Sequence, residues 1–172
     1  LERDYNHPCI ITWVPVNESW VTPQLEQDPR QQEFLRALYA LTKTFDPTRP
    51  VIDNDGWEHV QTDILSIHDY AYTGTTLKER YQTTEAVNAM ITNGRTSGYR
   101  VSLDHKHGLN GTPVMLTEFG GISYAPRPGE PWFGYGTVRT GEEYLAKLHE
   151  LVSSVVACPT FSGFCYTQLT DT

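Results

Sequence analysis

The chain has 172 residues, a 38% hydrophobic and 20% charged composition, and a formal net charge of -8. That is enough for one domain burying roughly 70% of its unfolded surface, and the acidic balance argues against a polyanionic partner such as nucleic acid. No apolar run approaches the 18 or so residues that a membrane span needs.

The first apolar run, Ile10 to Val14, ends in Pro15 and Val16 and delivers Asn17, Glu18 and Trp20 in quick succession. It reads as a strand buried on both faces, as a parallel sheet demands. Asp28 with Pro29 opens a helix, on which Phe34, Leu35, Leu38, Leu41 and Phe45 form one apolar stripe. Two prolines in "DPTRP" stop it. A short strand, Val51 to Asn54, precedes Gly56 and Trp57, and a third, Ile64 to Ile67, ends in His68, Asp69 and Tyr70. A helix is expected over Leu77 to Ile91, then a polar, Gly-rich loop from Asn93 to Thr112. The fourth strand, Val114 to Thr117, delivers Glu118 and two glycines. A long loop with Tyr124, Trp132, Phe133 and Tyr135 follows, then a capping box of Thr140 and Glu143. The helix it opens carries Tyr144, Leu145, Leu148, Leu151, Val152 and Val155 on one face, and a last strand, Phe161 to Tyr166, ends in Thr167 and Gln168. The three cysteines, Cys9, Cys158 and Cys165, lie in or beside apolar runs and read as free, buried thiols.

Strands alternating with helices mean a parallel sheet with right-handed crossovers. Five strands fit an open doubly wound sheet or part of an eight-stranded (β/α)8 barrel. No Gly-rich phosphate loop follows a strand, and polar residues close nearly every strand, which favours the barrel. Ligands then sit at the C-terminal rim, where Glu18 and Glu118 end two strands of one sheet. A single strand-end glutamate is ordinary as a salt-bridge partner. A pair in one barrel mouth matches glycosidic cleavage, in which one carboxyl protonates the leaving oxygen and the other attacks or activates water. Trp20, Trp57 and Tyr166 are candidate apolar platforms for sugar rings, and His68 a candidate lining residue. Metal chemistry has little support. Asp53 and Asp55 suggest a calcium loop, but Trp57 occupies the next ligand position, and His105 and His107 have no third ligand nearby.

"NHPCIITWVPVNESW" resembles the acid/base signature of glycoside hydrolase family 2, the family of β-galactosidases, β-glucuronidases and β-mannosidases. "PVMLTEFGG" resembles the family's nucleophile strand and "GFCYTQLTD" its eighth strand. The resemblance implies a partial TIM barrel, strands four to eight with their helices, from a retaining β-glycosidase that acts through a covalent glycosyl-enzyme. It implies Glu18 as general acid/base, Glu118 as nucleophile, Asn17 at the sugar 2-hydroxyl and Tyr70 beside the nucleophile. It requires no cofactor and makes a carbohydrate the partner. Tyr166 and Gln168 stand where many family members have tryptophan, so the sugar stays open.

On this reading residues 1–172 are a fragment, with the first barrel strands and upstream β-sandwich domains lying outside it, and localisation cannot be read. The fragment is expected to be inactive alone, and either to self-associate through its open sheet edges or to be the ordered remnant of a larger protein. The rival readings are a cellulase- or mannanase-type barrel and a non-catalytic carbohydrate-binding fragment.

Overall fold

A computed structural model describes residues 2–93, 109–125, 127, 129 and 134–170. At its centre three strands run parallel in the order β1 (Leu65–His68), β2 (Val114–Gly120), β5 (Phe161–Thr167). All four residues of β1 are buried, because neighbours cover both faces of this strand. The register pairs Leu65 with Val114 and Ile67 with Leu116, then slips, so that His68 lies opposite Glu118 rather than Thr117. A slip of this kind re-aims the side chains beyond it, and here it sets two polar groups side by side at the strand ends.

The arc continues on the β1 side through two extended segments. Residues 51–56 meet β1 where His68 N–H donates to the Gly56 carbonyl (3.3 Å). Residues 10–18 meet them in turn at two isolated parallel bridges, Trp13 with Val51 and Asn17 with Asp55. Five parallel segments therefore follow one another in the order of the sequence, forming an arc that does not close among the described residues. The first segment is not the doubly buried strand expected: Ile11 is 63% and Val14 44% exposed. It has one neighbour among the described residues, and Pro15 lacks the N–H that a continuous ladder needs. Val16 is the residue that turns into the core, at 6%.

Helices cover the outer face. α1 (Pro29–Phe45) begins as expected, with the Asp28 carboxylate accepting from Arg30 N–H at 2.9 Å. Its expected stripe divides. Leu35 is fully buried and Leu38 packs with it against Val16, Leu25 and Val60, but Phe34, Leu41 and Phe45 are exposed. At 3.6 residues per turn, positions 34, 41 and 45 lie roughly a fifth of a turn from the buried row. The single helix expected from Leu77 to Ile91 is two, α2 (Gly74–Tyr81) and α3 (Thr84–Thr92). Thr83 divides them, its side chain capping α3 by accepting from Ala86 N–H. A threonine that can bond to nearby backbone competes with helix continuation.

α4 (Gly141–Val156) carries the expected capping box at Thr140 and Glu143. Leu151 and Val155 are buried, whereas Leu145, expected on the same face, is 66% exposed. The main core lies between sheet and helices, where Leu65, Ile67, Leu116 and Phe119 meet Leu77, Val87, Ile91, Leu151 and Val155. The loop after β2 holds two short parallel strands, β3 (Ile122–Tyr124) and β4 (Gly136–Val138). Of the three free cysteines Cys158 alone is buried; Cys9 and Cys165 are exposed, against expectation. Cys165 lies on β5, which is bonded on one side only among the described residues. No described helix is long and apolar enough to cross a membrane.

Candidate active site

Two glutamates reach the rim by different means. Glu18 leaves the first segment in a left-handed turn, with φ of 53° at Glu18 and 54° at Ser19, a conformation that residues with a Cβ seldom adopt. Buried Asn54 holds that turn. Its Oδ1 accepts from Ser19 N–H (2.8 Å), and its Nδ2 donates to Ser19 Oγ (2.8 Å) and the Glu58 carbonyl (2.6 Å). Glu18 N–H donates to the Asp55 carbonyl at 3.0 Å. A strained turn persists where its surroundings fix it in this way. Glu118, by contrast, sits inside β2 and takes its direction from the ladder.

His68 stands between them. Its Nδ1 lies 2.7 Å from Glu18 Oε1 and 3.4 Å from Glu118 Oε2, and its Nε2 faces Asp55 Oδ2 at 3.5 Å. The ring lies against Gly56 (φ 81°), where an added Cβ would come within 2.1 Å of it. Glycine is therefore required there both for the turn and for the approach. Asp55 is fixed in turn by Thr117 Oγ1, which donates to Oδ1 at 2.6 Å. Burial works against a charge on His68, but the carboxylates of Asp55, Glu18 and Glu118 outweigh it and raise its pKa above the ordinary imidazole value. Burial likewise opposes ionisation of Asp55, and the His68 ring 3.5 Å away together with the hydrogen bond from Thr117 outweighs it, so its carboxyl is held below the usual range.

On the other side Tyr70 donates its phenolic hydrogen to Glu118 Oε2. Burial first, and then the hydrogen bond to Glu118, raise the phenol pKa, so Tyr70 remains a donor. Its ring stacks on Tyr135 with centroids 3.8 Å apart and planes 8° from parallel. Gly121 (φ 57°) makes room for the pair, since a Cβ there would lie 2.7 Å from Tyr135 and 3.0 Å from Tyr70. Between His68 and Tyr70, Asp69 points the other way, as alternation along an extended chain requires. It accepts from Arg80 and from Tyr81 (2.7 Å) and so ties this strand end to α2.

Trp20 completes the Glu18 side. Its Nε1 donates to Glu18 Oε2 at 3.2 Å, its ring lies 5.7 Å from Trp57, and 72% of the residue is exposed. The two indoles wall a depression of about 200 Å³ that also touches Ser19, Thr22, Leu25 and Glu58. Asn17 is exposed at the same rim, one residue before Glu18. One donor atom each from Glu18, His68 and Glu118 lies within 4.8 Å of the others. Within the trio Glu18 Oε1 is hydrogen-bonded to His68 Nδ1 (2.7 Å), and Glu118 Oε2 lies 3.4 Å from the same nitrogen.

Of the residues expected from the sequence, Glu18, Glu118, His68 and Tyr70 come together, and Trp20 and Trp57 flank them. Tyr166 does not join them: it packs edge-on against Phe119 (5.4 Å between centroids), over Gly120, with its hydroxyl 3.4 Å from that of Tyr144 on α4. A bulge in the β2–β5 pairing between Leu116 and Phe119 changes which face Tyr166 takes. Trp132, Phe133, His105 and His107 lie outside the described residues. Asp55, Thr117 and Asn54 are the participants that sequence reasoning missed. Their signal was positional: "Asn-Asp" at 54–55 ends one segment beside "Asn-Glu" at 17–18 on the next.

The model of the glycosyl hydrolases family 2 TIM barrel domain matches residues 1–122. The β-galactosidase BgaC of Bifidobacterium adolescentis is 27% identical over 128 residues, 73% of this chain and 11% of that protein. A β-galactosidase of Yersinia pestis is 42% identical over 66 residues, 38% of this chain and 5% of that protein. The chain thus matches only a small share of the length of these curated relatives. The solved structure of a Faecalibacterium prausnitzii β-glucuronidase aligns with 96% of this chain and 26% of its own, at a TM-score of 0.50 and 22% identity. That likeness speaks for the fold alone. The matched family model, covering both the Glu18 segment and the Glu118 strand, places the chain in glycosyl hydrolases family 2, as part of that family's TIM barrel domain.

Proposed function

We propose that Glu18 and Glu118 are the carboxylate pair of a retaining β-glycosidase acting on O-glycosyl bonds, of the β-galactosidase or β-glucuronidase kind. The observation that carries this reading is their spacing. One oxygen of each lies within 4.8 Å of the other, the close separation of about 5 Å that retaining enzymes use, whereas inverting ones leave room for a water between. Glu118, steadied by Tyr70, attacks the anomeric carbon while Glu18 gives its proton to the leaving oxygen. Water then adds to the glycosyl-enzyme, Glu18 takes one of its protons, and the Glu118 carboxylate is released. Asn17 at the rim is positioned to meet a sugar hydroxyl, and Trp20 and Trp57 to meet the leaving group beside Glu18. Trapping with a 2-fluoro β-glycoside tests this: the label is expected on the peptide bearing Glu118, and a label elsewhere overturns the assignment.

The fuller reading is that these residues work in a longer protein whose remaining strands close the barrel, with β-sandwich domains ahead of it. The open arc and the length of the relatives support it. Alone, the 172-residue chain is expected to turn over nitrophenyl β-glycosides negligibly. It is also expected to associate as its concentration rises, through the edges of β5 and of residues 10–18 that are unpaired among the described residues. A monodisperse monomer in light scattering would count against the second expectation, and rapid turnover against the first.

A further inference from the structure

His68 has a carboxylate oxygen at each ring nitrogen: Glu18 Oε1 at 2.7 Å from Nδ1, and Asp55 Oδ2 at 3.5 Å from Nε2. A neutral imidazole carries one N–H, and an ionised carboxylate can only accept. With Nε2–H turned to Asp55, the short contact at Nδ1 needs a second proton, on either the ring or Glu18. We propose that Asp55 is a positioning residue of this site: through His68 it keeps an exchangeable proton on the Glu18–His68 pair. The proposal rests on the reading of Glu18 as the acid and base.

The surroundings are built for that role. Asp55 pairs in register with Asn17 on the adjacent segment, which sets its side chain beside the Glu18 turn. Thr117 Oγ1 holds Oδ1 of the carboxylate at 2.6 Å, and its Oδ2 faces the ring at 3.5 Å. The slip between Ile67 and His68 brings the imidazole opposite Glu118, and Gly56 lets it lie flat against the backbone. The groups facing the ring are Glu18 from the first segment, Asp55 from the second, and Glu118 with Thr117 from β2. Tyr70, bonded to Glu118, and Tyr135, whose phenol is raised by burial and then by both glutamates, stand behind them.

Asp55 differs from the other two carboxylates in one respect. In the proposed cycle Glu118 becomes a neutral ester, and Glu18 gives up and regains a proton. Asp55 does neither, so it is a fixed charge beside His68 throughout. While water attacks the glycosyl-enzyme, one water proton goes to Glu18, the hydroxyl goes to the anomeric carbon, and Glu118 leaves as carboxylate. The ring stays oriented by Asp55 during that step.

The test begins with this chain, by following the His68 ring resonances against pH in wild type, Asp55→Asn and Thr117→Val. Removing one adjacent charge is expected to lower the His68 midpoint by about one pH unit or more. Thr117→Val, which frees the carboxylate without removing it, should lower it less. The second measurement is kcat/KM against pH in the protein with the complete barrel. There Asp55→Asn is expected to move the basic limb of the profile to lower pH. An unmoved His68 midpoint in both variants overturns the proposal, and if Asp55→Asn does not fold, Thr117→Val alone decides. A shifted midpoint with an unmoved basic limb also overturns it, because His68 would then be held without consequence for Glu18. Failure of the glycosidase reading is seen separately, as a 2-fluoro label away from Glu118.

Discussion

Glu118→Gln is expected to lower kcat/KM for aryl β-glycosides by about 10⁴- to 10⁶-fold in the protein with the complete barrel, the range that loss of an attacking group produces. An amide in this place keeps the shape and can still accept from Tyr70, but it cannot form the ester that the proposed route passes through. Glu18→Gln should act differently. Losing general acid–base assistance costs about 10²- to 10⁴-fold, and the size depends on the leaving group. A nitrophenolate departs without much help, so its first step should suffer little, whereas an alkyl glycoside should lose most of its rate. Measuring kcat/KM for both substrate types in both variants separates the roles. Equal losses for nitrophenyl and alkyl substrates in Glu18→Gln would contradict the acid assignment, and near wild-type rates in Glu118→Gln would contradict the nucleophile.

The largest loss of stability is expected from Asp53→Ala. Asp53 and His59 are both fully buried, paired at 2.8 Å, and the ring's Nε2 lies 3.0 Å from the Ser66 carbonyl. Asp53 Oδ2 also accepts from Val60 N–H (2.7 Å) and Gln61 N–H (2.9 Å). Removing it takes the carboxylate partner from a buried ring and from three backbone donors, those of Asn54, Val60 and Gln61, a change of about 3–5 kcal/mol, large beside the about 5–15 kcal/mol of a whole domain. Urea unfolding at fixed pH reads that loss directly. The pH dependence should change as well. Burial opposes protonation of His59, but Asp53 outweighs it and raises the folded-state pKa. The proton is thus bound more tightly in the folded chain. Its stabilisation is fully present below the unfolded value of about 6.5 and is lost as pH rises through the higher folded value. Wild type should therefore lose stability over that interval, and Asp53→Ala should show no such fall from this residue. A loss under 1 kcal/mol, or an unchanged pH slope, would contradict the pairing.

Sequence and structure agree best where the signal is local. Asp28 with Pro29, and Thr140 with Glu143, name their helix starts because cap chemistry is decided within three residues. Glu18 and Glu118 were visible because each closes an apolar run, and a parallel sheet brings such ends to one rim. What was not visible depends on neighbours far along the chain. Whether Ile11, Val14 and Leu145 are covered depends on what packs on them, not on their spacing. The face taken by Tyr166 depends on a bulge in β2, and alternation counted along "FCYTQ" cannot register a bulge in its partner. Asp55 looked like a failed calcium loop because its partners, His68 and Thr117, lie 13 and 62 positions away.

The two exposed thiols lie near opposite margins of the arc: Cys9 just before the first segment, Cys165 on β5. The third is buried between α4 and the sheet, where burial raises its pKa and so lowers its thiolate fraction. A maleimide dye or spin label would therefore go to the two margins and spare the core without any engineering. The native chain holds its own ruler across the gap, and label separation would report directly whether an added partner brings the margins together or props them apart.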